Sequence, residues 1–218
     1  MLTLESLPLF PLGAVLFPGG VLPLRIFEVR YLDMIGKCHR LGAPFGVVTL
    51  TQGHEVQRAP APGSGPSSDA SAQERFHAVG TLATITQLSK PQAGLMEIRC
   101  AGRQRFDLTR CERLRHGLWI GDVRQLPDDV PTPVPPDLQP VAHALANLIE
   151  RLRRRAVSSG QLPLPAPYRL DDCGWVANRW CELLGLPLEL QQRLMALDNA
   201  LVRLELVGDI LERNGIAP

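Results

Sequence analysis

Apolar and polar positions along this chain follow two different patterns. In the first half, apolar residues come in short runs broken by proline and glycine. In the last third they recur every three or four residues. The first half opens on Leu7–Leu32, LPLFPLGAVLFPGGVLPLRIFEVRYL, which contains no Lys, Ser, Thr, Asn or Gln. Pro8, Pro11 and Pro18, with Gly13, Gly19 and Gly20, forbid a long helix here. The pattern predicts two short apolar strands, Leu7–Leu12 and Val21–Ile26, joined by a turn at Phe17-Pro18-Gly19-Gly20. From Glu28 no Pro or Gly intervenes before Gly36, and Val29, Leu32, Ile35 and Leu41 recur near helical spacing, so a helix follows directly. Arg25, Glu28, Arg30 and Asp33 are the first charges after the apolar run, and they cluster at that junction.

Further strands are predicted at Phe45–Thr51, within His77–Leu88, along Leu95–Leu108 and at Leu118–Leu126. In Leu95–Leu108, Met96, Ile98 and Cys100 alternate, Gly102 interrupts, and Phe106 and Leu108 resume, which predicts one long strand with a bulge or bend. Between the third and fourth strands, Ala59–Ala72 has no large apolar residue to offset its ordering entropy, and a mobile loop over 57–76 is expected. Six or seven strands around one helix are too many for one flat sheet, so a closed or half-closed barrel is expected. Pro127–Pro136 is half proline and reads as a semi-rigid spacer between a β-rich domain over 1–126 and a helical bundle over 137–218. In the bundle, Leu138–Val157 forms a helix whose last turn is rich in arginine. A second helix is capped by Asp171 or Asp172 and stopped by Gly185, a third starts at Pro187, and a fourth is capped by Asp198 or Asn199. The fold class is α+β.

Composition narrows the function classes. The net charge of +1 gives no global pull toward nucleic acid or acidic lipid. Cys38, Cys100, Cys111, Cys173 and Cys181 form no CxxC pair, and this odd, scattered set suits free thiols in a reducing compartment. The amino terminus lacks a basic stretch ahead of its apolar run, and no unbroken run is long enough for a membrane span. A cytoplasmic protein is expected.

Catalytic and cofactor motifs do not emerge. There is no phosphate-cradling GxxxxGK[ST], no GxSxG elbow and no HExxH, and the five histidines have no zinc-ligand spacing. Neither a cofactor, a metal nor a catalytic residue is expected. The most basic segment carries Arg99, Arg103, Arg105, Arg110, Arg113 and Arg115 against Asp107 and Glu112. Two readings compete for it. One is an RNA-tracking strand with Phe106 available to stack, and the other is an edge strand protected by charge, which the single aromatic favours.

The opening motif through Tyr31 with Phe45-Gly46-Val47-Val48, then Val79-Gly80-Thr81-Leu82-Ala83-Thr84-Ile85, then Gly102-Arg103-Gln104-Arg105-Phe106, recur in this order in a known family. So do the helical elements Trp175, Asn178-Arg179, Glu182, Leu186-Pro187-Leu188, Gln191, Leu194 and Leu197-Asp198. In these stretches the chain resembles the amino-terminal, substrate-binding domain of Lon proteases. The resemblance implies a β-rich, PUA-like pseudo-barrel followed by a helical bundle. It gives the Arg25–Tyr31 junction and Arg105 a structural role in clamping barrel to helix. The chain ends at Pro218 without the ATPase and protease modules of Lon, so it resembles the stand-alone members, and protease activity is not expected. The expected function is non-catalytic recognition of a polypeptide, with a protease or chaperone system as a possible partner, and the RNA-binding PUA-like protein is the alternative. Leu16, Phe17, Arg25, Glu28, Arg30, Tyr31 and Arg105 are the candidate binding residues. Apolar surface near Leu16-Phe17-Pro18 and the first helix is the expected contact, such that Phe17→Glu weakens binding without harming the fold.

Overall fold

Strand-forming runs that are apolar on both faces need cover on both faces, and the fold supplies it. The computed structural model describes residues 2–52, 74–156, 164 and 166–216. They form seven strands, β1 (Thr3–Leu12), β2 (Val21–Ile26), β3 (Phe45–Gln52), β4 (Arg75–Phe76), β5 (Val79–Gln92), β6 (Leu95–Arg113) and β7 (Trp119–Gln125). Helix α1 (Val29–Leu41) lies between β2 and β3 in sequence, and α2 (Gln139–Ala156), α3 (Cys173–Leu183), α4 (Leu188–Ala196) and α5 (Ala200–Arg213) follow β7. The strand order β1-β7-β6-β5-β3-β4 is closed by a parallel pairing of β1 with β3, so β1, β7, β6, β5 and β3 form a ring. The two strands predicted around the Phe17–Gly20 turn are present, but they do not pair with each other. β2 pairs with β6, whereas β1 pairs with β7 and β3.

Two compact units emerge. The first comprises Met1–Leu16 and Leu22–Pro127, and the second Phe17–Val21 and Asp128–Pro218. In the first unit, alternation along each strand feeds two apolar layers. Leu7, Leu9, Val48, Leu82, Phe106 and Val123 form one layer. Phe10, Leu12, Val47, Ala83, Ile98 and Cys100 join Tyr31, Met34, Ile35 and Cys38 of α1 in the other. This explains why β1 and β3 read as nearly continuous apolar runs, as strands covered on both sides do. The Phe106 ring fills the first layer at a point where two glycines make room. A methyl group on Gly80 would stand 2.5 Å from Phe106 Cζ and 2.6 Å from the Val47 carbonyl oxygen, and one on Gly46 2.9 Å from Phe106 Cζ. The bulge expected at Gly102 is there. Three steps along β6, from Gly102 to Arg105, oppose two steps along β5, from Ala83 to Thr81.

The end of the expected mobile loop is structured. Arg75 and Phe76 form β4 against β3, and Glu74 is buried. The rest of that loop, 57–73, lies outside the described residues.

In the second unit, Phe17-Pro18-Gly19-Gly20 closes with a Gly20 N–H to Phe17 carbonyl bond of 3.0 Å and a positive φ of 72° at Gly19. That is the Pro-Gly arrangement of a type II turn. Asp172 caps α3, accepting from the Trp175 N–H at 2.7 Å, and Asn199 caps α5, accepting from Leu201 and Val202 at 3.0 and 3.1 Å. From Asp128 onward, the proline-rich segment packs into this unit. The Cys173 N–H donates to Thr132, the Val134 N–H donates to Asp171, and Asp129 receives a buried arginine. That residue, Arg203, is 1% exposed and uses all five of its N–H groups. Nε donates to the Leu194 carbonyl at 2.9 Å, Nη1 to Asp129 at 2.6 Å and Asn178 at 3.1 Å, and Nη2 to Asp129 at 3.2 Å and to the Leu197 carbonyl. Burying a guanidinium is costly unless its N–H groups are hydrogen-bonded, and those of Arg203 are.

Candidate functional site

Helix α1 has more apolar residues than its core face can take. Its buried residues are Arg30, Tyr31, Met34, Ile35 and Cys38, which recur at helical spacing. Tyr31 stacks on Phe10 with ring centroids 4.0 Å apart, and the Arg30 guanidinium lies 4.5 Å above the Tyr31 ring. Of the stripe expected from Val29, Leu32, Ile35 and Leu41, Ile35 is fully buried and Leu32 partly so, while the Arg30 stem and the Tyr31 ring take core positions that Val29 and Leu41 do not reach. Val29 and Leu41 are left 74% and 79% exposed at the two ends of the helix. Beside them runs a groove of about 520 Å³. Pro8, Met34, Pro44 and Leu118 line it together with Val29 and Leu41, and Arg30, Asp33, Lys37 and His116 supply its polar groups. The helix stops cleanly, since Gly42 takes a φ of 60° and the Ala43 N–H returns to the Cys38 carbonyl at 2.9 Å.

Beneath one end of the groove lies a buried polar network. Arg30 Nη1 donates to the Gly117 carbonyl at 2.7 Å, and Nη2 stands 3.0 Å from Glu28 and 3.6 Å from Glu74. The Trp119 indole N–H donates to Glu74 at 2.6 Å, and Phe76 meets the Trp119 ring edge-on at 5.3 Å. Arg30 thereby ties the start of α1 to the turn between β6 and β7, which carries His116 into the groove wall. Burial pushes the Tyr31 phenol well above its ordinary range, while Arg30 beside it acts in the opposite direction. Burial also raises the thiols of Cys38, Cys100, Cys173 and Cys181, the second and fourth to about 12, so these cysteines are protonated apolar groups at neutral pH.

The structure brings Glu28, Arg30 and Tyr31 together at this site. Arg25 stands apart on β2, in an exposed ion pair with Glu97 at 3.2 Å. Arg105 is buried on β6 opposite Thr81, and its carbonyl accepts the Leu126 N–H at 2.9 Å. Leu16 and Phe17 are buried, at 3% and 0% exposure. This corrects the expectation of an exposed apolar surface there: Phe17 is core, and Phe17→Glu would cost the fold. The edge-strand reading of the arginine-rich segment holds only in part, since β6 pairs with β5 as far as Asp107 and with β7 from Phe106 onward, which leaves Arg110–Arg113 in register with β7. Its arginines are dispersed. Arg105 is interior, Arg103 donates to Thr84, Arg110 pairs with Glu112, and Arg113 reaches the Gly117 carbonyl and the Trp119 ring.

Glu74 and Trp119 escaped the sequence reading. Glu74 sits at the end of a polar, low-complexity stretch, and only the later Arg-Phe pair hinted at a strand. A second buried cluster was visible only as motif residues. Arg179 donates to the Gly19 and Pro18 carbonyls at 2.6 and 2.9 Å and to Glu182 at 3.0 Å. Among the described residues no three metal-ligating side chains converge, and no helix is long and apolar enough to cross a membrane.

Comparison with known proteins places this architecture. The family model of the ATP-dependent protease La (LON) substrate-binding domain matches residues 6–213, and the chain belongs to that family. A Lon protease of Anaeromyxobacter dehalogenans (strain 2CP-C) is 25% identical over 216 residues, which is 95% of this chain and 23% of that protein's length. The chain thus spans under a quarter of this relative. The crystal structure of a Lon N-terminal domain protein from Xanthomonas campestris is 28% identical, with a TM-score of 0.67 over 94% of this chain and 97% of that one. The N-terminal domain of the Mycobacterium avium complex Lon protease shares the fold, at 16% identity and a TM-score of 0.54 over 94% of this chain and 97% of that one. The family assigns a substrate-recognition module.

Proposed function

We propose that this chain binds polypeptide segments without acting chemically on them, in the cytoplasm, and that the α1 groove receives them. The observation that carries this reading is the pair of exposed apolar side chains, Val29 and Leu41, at the ends of an apolar groove. Exposed apolar side chains bordering a cavity mark binding sites more often than scattered single ones do. Fully burying a valine or leucine is worth about 1.5–3 kcal/mol, so two of them supply a large part of a micromolar affinity. The polar network under the groove holds its shape, and the family's role as the substrate-binding part of a protease suits the same reading. A protease or chaperone system is the natural partner, since both handle chains with exposed apolar segments.

The test is fluorescence anisotropy with a labelled polypeptide kept unfolded by reduction and carboxymethylation. Val29→Asp combined with Leu41→Asp should weaken binding about tenfold or more, the equivalent of losing the burial of one such side chain. Unchanged affinity, with the variant folded, would remove the groove from the account.

A further inference from the structure

The groove wall contributed by α1 has a regular order. Val29, Asp33, Lys37 and Leu41 all line it, and they are spaced four residues apart. Residues at that spacing form one ridge along a helix, inclined about 26° to its axis, with a rise of about 6 Å between neighbours and about 18 Å from first to last. Alternate side chains of an extended strand repeat every 6.6 Å or so, nearly the same interval. An extended segment laid along that ridge therefore brings one alternate side chain to each of the four in turn. Asp33 and Lys37 are both exposed and neither has an ion-pair or hydrogen-bond partner among the described residues, including each other. Their charges remain free for a ligand.

We propose that the groove selects extended segments presenting two apolar side chains with one basic and one acidic side chain between them, on alternate positions of a seven-residue stretch. The basic group faces Asp33, the acidic group faces Lys37, and the apolar groups cover Val29 and Leu41. This rests on the reading of the groove as a polypeptide site. The pattern holds for either chain direction, because reversing the segment exchanges the two charged positions and reversing its orientation restores them. Segments with two like charges place one of them against its own sign.

Three synthetic heptapeptides test this, Leu-Ser-Lys-Ser-Glu-Ser-Leu and its counterparts with two lysines or two glutamates, titrated at low salt against the full chain. The Lys/Glu peptide should bind about three- to fivefold more tightly than either counterpart, the scale expected for exposed charge pairs. Asp33→Lys should shift the preference to the two-glutamate peptide, and Lys37→Glu to the two-lysine peptide. Both positions are exposed, so unchanged thermal unfolding serves as the control for folding. Equal affinity for all three peptides would overturn the charge pattern while leaving the groove as a binding site. If none of the three saturates while the unfolded polypeptide still binds through Val29 and Leu41, the extended pattern falls. If that binding is absent as well, the functional reading falls with it.

Discussion

Helices α1 and α5 are nearly equal in length, at 13 and 14 residues, and treat their apolar residues in opposite ways. α5 buries Ala200, Leu204, Val207 and Leu211, and its most exposed apolar side chains, Val202 and Leu206, reach 37% and 42%. α1 fills part of its core face with Arg30 and Tyr31 and leaves Val29 and Leu41 about twice as exposed. Each helix also buries an arginine. Arg203 joins α3, α4 and the Asp128–Pro136 segment inside the second unit. Arg30 instead holds the turn that forms one wall of an open groove. The difference separates a helix whose side chains serve the fold from one that keeps apolar surface available. In the first unit the polar network lets α1 stay anchored while part of its apolar surface remains uncovered.

Four measurements would break or sharpen this contrast. The largest effect belongs to the second unit. Arg203→Met removes five buried hydrogen bonds, two of them to the Asp129 carboxylate, and should cost about 3 kcal/mol in denaturant unfolding. That is the low end for breaking a buried pair, because 18% of the Asp129 side chain reaches water. A loss below about 1 kcal/mol would mean that Arg203 is not the keystone described. Next, Gly80→Ala forces a methyl group against Phe106 and the Val47 carbonyl, and should cost about 1–3 kcal/mol by overpacking. Truncating the ring in Gly80→Ala/Phe106→Leu should recover part of that loss, whereas simple additivity would place the strain elsewhere. Third, Val29→Asp with Leu41→Asp should change stability by no more than about 0.5 kcal/mol, as exposed substitutions do, while lowering affinity for unfolded polypeptide. A large stability loss would show that these side chains serve the fold after all.

The fourth is a pH slope. Burial raises the Glu182 carboxyl to about 7 from an ordinary value of 4.5, against the pull of Arg179, which lowers it. The folded chain then binds this proton more tightly than the unfolded chain. Its contribution to stability is fully present below about 4.5 and is lost as pH rises through 7. Glu182→Gln should therefore flatten the thermal stability profile over that window, and an unaltered slope would contradict the assignment.

Much of the fold was legible because its signals are local. Proline and glycine punctuation placed the Phe17–Gly20 turn, alternation with a break at Gly102 located the bulge in β6, and Asp172 and Asn199 stand where cap residues should. The motif glycines Gly46 and Gly80 were visible as matches, but their reason, the Phe106 ring, belongs to three strands distant in sequence. The site was less legible. Spacing alone put Val29 and Leu41 on the helix's apolar stripe, and nothing local reveals that an arginine stem and a tyrosine take the core instead. Phe17 reads as a turn residue open to solvent, yet it is fully buried. Glu74 was hidden because a single carboxylate in a polar stretch shows no periodicity.

Polypeptide binding at the α1 groove is tested most directly by methyl-selective NMR. With the valine, leucine and methionine methyls labelled, the unfolded carboxymethylated polypeptide is titrated in. Saturable shifts at Val29, Leu41 and Met34, with those of Leu204 and Val207 unmoved, are the predicted result. Saturable shifts elsewhere with Val29 and Leu41 silent would contradict it.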